Sequence, residues 1–116
     1  MNDPTRLGAQ AATVFAAVDQ GKALLVVPAI VIAELIFIGA RGRVAVDLEK
    51  TLADLARHPA IETPDLALAV VLAMRSATAI PEMHDRLIAC EALLRNAVLI
   101  TRDPLIIAAN WVTTVW

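Results

Sequence analysis

Aliphatic residues follow two alternating patterns along the chain, one with helical spacing and one made of short continuous runs. Apolar and small residues at helical spacing predict six helices, over residues 8–20, 29–38, 44–57, 65–77 and 83–96 and from residue 103 onward. Short aliphatic runs predict four strands, over residues 24–27, 61–63, 98–101 and 112–116. The Ile and Val content of residues 29–38 also leaves a strand open there. Helices alternating with short strands indicate an α/β fold with a short, mainly parallel sheet.

Glycine, proline and aspartate mark the predicted ends of these elements. Gly21 ends the first helix and Gly39 the second, because glycine accepts the left-handed conformation that closes a helix. Pro28 stops the first strand, and residues 41–43 are predicted to form a loop. Asp65 is placed to cap the helix that follows it. No repeat or linker interrupts the 116 residues, so we expect a single domain over residues 1–116.

The composition narrows the function classes. Hydrophobic residues make up 59% of the chain and the net charge is −2, so a broad basic field for nucleic acid is excluded. A nucleic-acid partner would need local arginines or a metal ion. The single Cys90 excludes an internal disulfide and a cysteine-based zinc site, which favours a reducing compartment and a cytoplasmic location.

The most apolar run, residues 23–40, is long enough to raise the question of a membrane span. Pro28 divides this run and Glu34 lies inside it, where a carboxylate would be costly in lipid. We therefore expect a buried helix. Because a buried acid usually has a partner, Glu34 indicates a metal ion, a basic partner or a half-open cleft, with a chance polar residue in the core as the alternative.

Two aspartates stand at the ends of predicted elements. Asp85 opens an apolar helix on the side of Ile88 and Ala89, and Asp103 follows the strand 98–101. Simpler interpretations are a first-turn acid favoured by the helix dipole for Asp85 and an N-cap before a proline for Asp103. However, ligands of parallel sheets bind beyond the carboxyl ends of strands. Mg²⁺ and Mn²⁺ prefer oxygen ligands, so the acids indicate metal-dependent chemistry.

Other polar residues near these acids have less specific interpretations. Thr101 either adds a hydroxyl ligand or is an ordinary strand residue. His84 is a candidate general base, although a histidine at a helix start is more often solvated. Glu91 and Arg95 are four residues apart and are expected to pair on the outward side of their helix. Cys90 is expected to fill the core.

The order Glu34, then His84-Asp85-Arg86-Leu87-Ile88-Ala89, then Leu99-Ile100-Thr101-Arg102-Asp103 resembles the PIN domain, in particular the VapC-type toxins of bacterial toxin–antitoxin pairs. The resemblance runs from about residue 8 to the C-terminus, and residues 81–103 are its specific part. It implies a three-layer α/β/α fold and a metal-dependent endoribonuclease of a type II pair. It also implies a homodimer that is inhibited by a cognate VapB-type antitoxin.

By this resemblance, Glu34, Asp85 and Asp103 match the family's catalytic and metal-binding acids. Carboxylates of this kind bind Mg²⁺ or Mn²⁺, which lowers the pKa of a bound water and offsets charge on the scissile phosphate of RNA. Arg86 and Arg102, beside the two aspartates, are candidates for RNA contact together with Thr101. Solvated charge is the equal alternative for both arginines.

The chain departs from the family at its start. The family opens with an aliphatic strand that ends in an aspartate, whereas Met1-Asn2-Asp3-Pro4 directly precede the first helix here. Asp3 follows no strand and is not assigned the missing role. Since that strand lies in the middle of the family's sheet, its neighbours would lose their hydrogen-bonding partners.

Three interpretations of this departure are open: a truncated chain, a decayed toxin, or a strand recovered from a partner chain. Truncation is favoured, because residues 8–116 keep the pattern, and it predicts weak activity and poor stability of the chain alone. Two other functions also remain open. One is a non-catalytic protein that binds an antitoxin for regulation, and the other is a small α/β binding domain whose acids are structural.

Overall fold

The computed structural model describes residues 7–40 and 47–116. The described residues form six helices, α1 (Ala9–Asp19), α2 (Ala29–Ala40), α3 (Leu48–Arg57), α4 (Leu68–Ala73), α5 (Met83–Leu94) and α6 (Pro104–Ala109). They also form four strands, β1 (Leu25–Val26), β2 (Ile61–Glu62), β3 (Leu99–Ile100) and β4 (Thr114–Val115). The predicted mixed α/β class is therefore confirmed.

The described strands form two separate parallel pairs. Strand β1 pairs with β2, with Leu25 opposite Ile61, and β3 pairs with β4, with Leu99 opposite Thr114. The predicted parallel pairing is confirmed, but within residues 7–40 and 47–116 no strand joins the two pairs into one sheet. The three-layer arrangement implied by the resemblance stays a prediction.

Two helix starts depend on aspartate caps. The side chain of Asp103 accepts a hydrogen bond from the Leu105 amide, and Pro104 occupies the first helical position, as predicted. The side chain of Asp47 accepts from the Lys50 amide in the same way, so α3 begins at Leu48. Its earlier predicted start at residue 44, and the predicted loop at 41–43, lie outside the described residues, as does Asp3.

The predicted cap at Asp65 is wrong. Helix α4 begins three residues later, after Ala67, which provides no side-chain cap. The carbonyl oxygen of Pro64 instead accepts a hydrogen bond from the Ala29 amide, which holds this segment against the start of α2. At the other end the amides of residues 74–77 bond three residues back, so the chain tightens into turns before the predicted end at 77.

The core lies where α4 and α5 pack together. Val70, Ala77, Leu87 and Cys90 form its buried cluster, and Ile30 of α2 packs against them. Cys90 is fully buried, as its predicted role in the core requires. Burial of these aliphatic groups is the main favourable term for folding.

The start of α1 is attached to the end of the chain. The Gln10 amide donates to the carbonyl oxygen of Trp116, and the Trp116 amide donates to the side-chain oxygen of Gln10. These bonds place the start of α1 beside the carboxyl end of β4. Among the described helices, none has the length and hydropathy needed to cross a membrane.

Candidate functional site

A cavity of about 690 Å³ separates the two strand pairs. Residues 24–28 around β1 and residues 97–101 around β3 form its sides. Much of the remaining lining is apolar, among it Val14, Phe15, Ile88, Ala92 and Ile106 from α1, α5 and α6. We call this cavity the inter-strand groove.

Glu34, Asp85 and Asp103 all line the inter-strand groove. They come from three different elements: Glu34 from the middle of α2, Asp85 from the first turn of α5, and Asp103 from the residue before α6. All three are half-buried rather than exposed. The structure therefore places the three predicted acids in the wall of one cavity, with Asp103 beyond the carboxyl end of β3 and Glu34 on the helix that follows β1.

Burial and mutual repulsion disfavour the charged forms of two of these acids. Burial is the main cause of the raised pKa of Glu34, and the negative charges of Asp85 and Glu82 add to it, while His84 opposes it. Burial likewise raises the pKa of Asp85, followed by the charges of Glu82 and Asp103. Neighbouring charges thus shift the pKa values of both Glu34 and Asp85. Such shifts are typical of functional sites and also occur in structural networks.

Glu82 positions the start of α5. One of its carboxylate oxygens accepts a hydrogen bond of 2.7 Å from the Asp85 amide, and the other contacts Nδ1 of His84 at 2.6 Å. The first of these bonds is the leading cause of the lowered pKa of Glu82. Since Glu82 performs the capping, the side chain of Asp85 is not needed for it. The sequence did not indicate this cap, because glutamate is not among the preferred N-cap residues.

Asp103 combines a capping role with its place in the groove. One of its oxygens accepts the bond of 2.8 Å from the Leu105 amide, and its own amide donates to the hydroxyl oxygen of Thr101 at 3.1 Å. Thr101 therefore orients the backbone at Asp103. The N-cap contact predicted for Asp103 is therefore present. It uses one carboxylate oxygen and leaves the second available to the groove.

The two candidate arginines have protein contacts. The Nε of Arg86 donates to the carbonyl oxygen of Ile80 at 2.8 Å. The guanidinium of Arg102 lies over the ring of Trp116, 5.6 Å from its centroid, and the side chain is exposed. Arg86 thus holds α5 against the preceding loop, whereas Arg102 lies at the surface.

Glu91 and Arg95 pair as predicted, at 2.9 Å, but on the opposite side from the one expected. Glu91 is 6% exposed and lines the inter-strand groove, as does Arg95, which also contacts Glu62. The expectation of an outward position was wrong because α5 is buried on more than one face. The buried carboxylate is neutralised by the arginine one turn away.

Carboxylate oxygens are suitable donors for Mg²⁺ or Mn²⁺. However, within the described part of the chain no three His, Cys, Asp or Glu residues come close enough to hold one metal ion. The acids of this groove therefore share a cavity and an electrostatic environment without forming a ligand set.

Comparison with known proteins leaves the function to be derived from the residues. No protein-family model, no curated protein and no solved structure matches the chain. Fold and site together define a mixed α/β chain whose described strands form two parallel pairs, with a largely apolar groove that has four acids in its wall, Glu34, Asp85, Glu91 and Asp103.

We expect the contribution of Glu34 and Asp85 to the stability of the chain to fall as the pH rises above their ordinary pKa values, 4.5 and 3.8. Both carboxyls have raised pKa values in the folded protein, so the folded state binds these protons more tightly than the unfolded state. Their contribution is complete below the ordinary values and is lost as the pH rises through the raised ones. Urea unfolding at several values between about pH 4 and about pH 7 measures this loss.

The matched control is the double variant Glu34→Gln/Asp85→Asn. Groups with lowered pKa values, such as Asp54 and Glu82, act in the opposite direction, since their contribution is lost as the pH falls. They are present in both proteins, so the difference between the two pH profiles isolates the groove acids. Identical profiles would show that the groove does not perturb these carboxyls.

Proposed function

We propose that the chain is a metal-dependent endoribonuclease of the PIN class, a VapC-like toxin that hydrolyses RNA phosphodiester bonds and is held inactive by a VapB-type antitoxin. Glu34, Asp85 and Asp103 are its acidic residues. The observation that supports the proposal is their position, since three elements bring three carboxylates to one cavity next to the ends of parallel strands.

The energetics of the site also favour a function for these acids. Raised pKa values show that ionised Glu34 and Asp85 are disfavoured where they lie. Neutral residues of similar size would be better there for packing alone. Side chains that oppose stability are expected at functional sites, where a ligand provides the missing interaction.

Metal binding is the part of the proposal that demands a change of structure. The described residues form no ligand set of three, so the acids must approach one another more closely when a divalent cation binds. With a net charge of −2 the chain has no general attraction for RNA, and cations at the acids would have to offset repulsion of the phosphate. Arg102, exposed near the strand ends, is the candidate for a direct phosphate contact.

The experiment is cleavage of a labelled pool of structured RNA by the purified chain, with Mn²⁺, with Mg²⁺ and with a chelator. We expect cleavage only with a divalent cation, and a rise of the melting temperature with Mn²⁺, since a ligand that binds only the folded state stabilises it. Glu34→Gln is the matched variant, and it should lose both effects. Cleavage that continues in chelator, or in Glu34→Gln, would contradict the proposed site.

A second candidate function is non-catalytic binding of an antitoxin for regulation. The observation that favours it is the lack of a three-residue ligand set among residues 7–40 and 47–116. It predicts a folded chain that binds a partner, does not cleave RNA under any metal condition, and keeps its melting temperature when Mn²⁺ is added.

A further inference from the structure

The guanidinium of Arg102 has no polar partner within the described part of the chain. Every other arginine that the structure describes donates to a carboxylate or carbonyl oxygen at 3.1 Å or less: Arg57, Arg75, Arg86 and Arg95. Arg102 makes no hydrogen bond or ion pair with any described residue, although Asp103 follows it in the chain. Because a guanidinium is a planar fork of N–H donors, this side chain can bind a ligand without first breaking a protein contact.

The ring of Trp116 holds this guanidinium in place. Cζ of Arg102 lies over the ring, 5.6 Å from its centroid, within the range of a cation–π contact. Trp116 is fixed in turn by its backbone, since its amide donates to Gln10 Oε1 and its carbonyl oxygen accepts from the Gln10 amide. The ring contact therefore restricts the guanidinium and uses none of its N–H donors.

Strand pairing brings Arg102 and Trp116 together. Ile100 lies opposite Val115, and the Thr101 amide donates to the carbonyl oxygen of Val115 at 3.0 Å. The segments that follow β3 and β4 consequently leave the parallel pair side by side. A hydrogen bond of 3.1 Å from the Asp103 amide to the Thr101 hydroxyl oxygen then fixes the backbone on both sides of Arg102.

Arg102 lies at the rim of the inter-strand groove. Thr101, Asp103 and Trp116 line the groove, whereas Arg102 is exposed and is not part of the lining. A ligand on the side of the guanidinium that faces away from Trp116 would lie beside the groove acids without entering the apolar interior. A planar cation favours a ligand that has both a flat ring and an anionic group.

We propose that Arg102, held over Trp116, is the contact site for one unpaired nucleotide of the RNA substrate. The base stacks on the side of the guanidinium that faces away from the ring, and the N–H donors contact the adjacent phosphate. This inference rests on the proposed function in taking RNA as the ligand. Trp116 is a positioning residue, because it acts through Arg102.

A nucleotide has both groups that this arrangement can bind. Unpaired bases stack on aromatic rings and on guanidinium planes, and every base has a face suited to such stacking. Phosphate oxygens accept hydrogen bonds from the fork of an arginine. Lysine has the charge of arginine without its plane, so substitution can separate stacking from attraction to the phosphate.

The experiment measures binding of a labelled single-stranded oligouridylate to the full chain, at low salt and in chelator. Without a divalent cation the proposed nuclease does not cleave, so the measurement reports binding alone. Arg102→Lys should weaken binding about tenfold, within the range for the loss of one stacked base. The dependence on salt should not change, because the number of phosphate contacts stays the same. Arg75→Lys, the control at an exposed arginine outside the groove lining, should bind like the original chain.

Two further comparisons separate the positioning role of Trp116 from a structural one. Trp116→Leu should weaken binding about as much as Arg102→Lys, and Trp116→Phe should restore most of the affinity, because phenylalanine also provides a ring for the guanidinium. An oligonucleotide with the same phosphates but abasic sugars should bind about tenfold more weakly to the original chain. It should bind equally to the original chain and to Arg102→Lys.

Equal binding of the intact and abasic oligonucleotides would overturn the inference, as would equal binding of the intact one by the original chain and Arg102→Lys. Absence of binding by the original chain at low salt would also overturn it. These outcomes are distinct from failure of the proposed function. Cation-dependent cleavage that does not depend on Arg102 keeps the nuclease and removes this contact, whereas binding that depends on Arg102 without any cleavage does the reverse.

Discussion

Asp85→Asn is expected, under the proposed function, to slow divalent-dependent RNA cleavage by at least about 100-fold, the usual cost of removing a group that stabilises charge at an active site. The same substitution should raise the melting temperature. The charged form of Asp85 is disfavoured by burial and by Glu82 and Asp103, so a neutral amide of the same shape removes that repulsion. Loss of activity together with a gain of stability distinguishes a functional acid from a structural one.

The substitution Asp85→Asn does not remove a contact that holds the start of α5. Glu82, not Asp85, accepts the hydrogen bond that caps α5, so the helix start remains intact. Cleavage rates with Mn²⁺ and thermal unfolding at neutral pH are the two measurements. Growth arrest after expression in a host is the corresponding cellular readout.

Asp54→Asn is the matched control for Asp85→Asn. Asp54 lies on α3 at the surface, paired with Lys50 and Arg57. Exposed pairs contribute about 0–1 kcal/mol, so a small decrease in stability and unchanged cleavage are expected. If Asp85→Asn cleaved RNA as fast as the original chain, the site assignment would be wrong.

The largest expected effect on stability comes from Gly8→Ala. A Cβ atom at residue 8 would overlap the carbonyl carbon and oxygen of Trp116, which are backbone atoms and cannot move aside without shifting β4. Overpacking of this kind costs about 3 kcal/mol, which corresponds to a decrease of about 10 °C in melting temperature for a domain of this size. Thermal unfolding followed by circular dichroism measures it.

Gly39→Ala is the control for the change of residue type. A Cβ atom there would meet only the Leu48 side chain, at 3.7 Å, an ordinary contact. Gly39 lies within α2, where alanine is better than glycine by about 0.5–1 kcal/mol, so this variant should be more stable. Equal melting temperatures for the two variants would show that α1 does not pack on the end of β4 as described.

Gly8→Ala and Asp85→Asn test different parts of the inter-strand groove. Gly8 allows α1 to begin beside Trp116, which lines the inter-strand groove together with the three acids. A shift of α1 would therefore move one wall of the groove. Gly8→Ala therefore changes the packing of the groove, whereas Asp85→Asn changes only the charge in its wall.

Local rules predicted most of the elements. The aliphatic run before Pro28 contains β1, and the helical spacing after residue 82 corresponds to α5. Asp103 followed by Pro104 marked the start of α6, because this dipeptide favours a helix start on its own. These predictions depend only on interactions between residues close in sequence, which is why they could be made without a structure.

Two local predictions failed because contacts between distant residues override the local pattern. Asp65 looked equally suitable as a cap, but the bond between Pro64 and the start of α2 holds its segment outside the helix. Glu91 was expected to pair with Arg95 on the outward side of α5, whereas packing covers more than one face of this helix and the pair lies in the groove, with Glu91 buried. Neither contact has a local signal in the sequence.

For the site, the sequence by itself determined which side chains are unusual: an acid in the most apolar run, an acid at the start of an apolar helix and an acid after an aliphatic strand. Hydrophobic patterning makes such residues visible because each opposes its surroundings. Only the tertiary structure decided that Glu34, Asp85 and Asp103 share one cavity without closing into a metal ligand set. It also decided that β1 and β3 belong to separate parallel pairs of the described strands and line that cavity together, because strand pairing joins residues far apart in the sequence and leaves no local pattern.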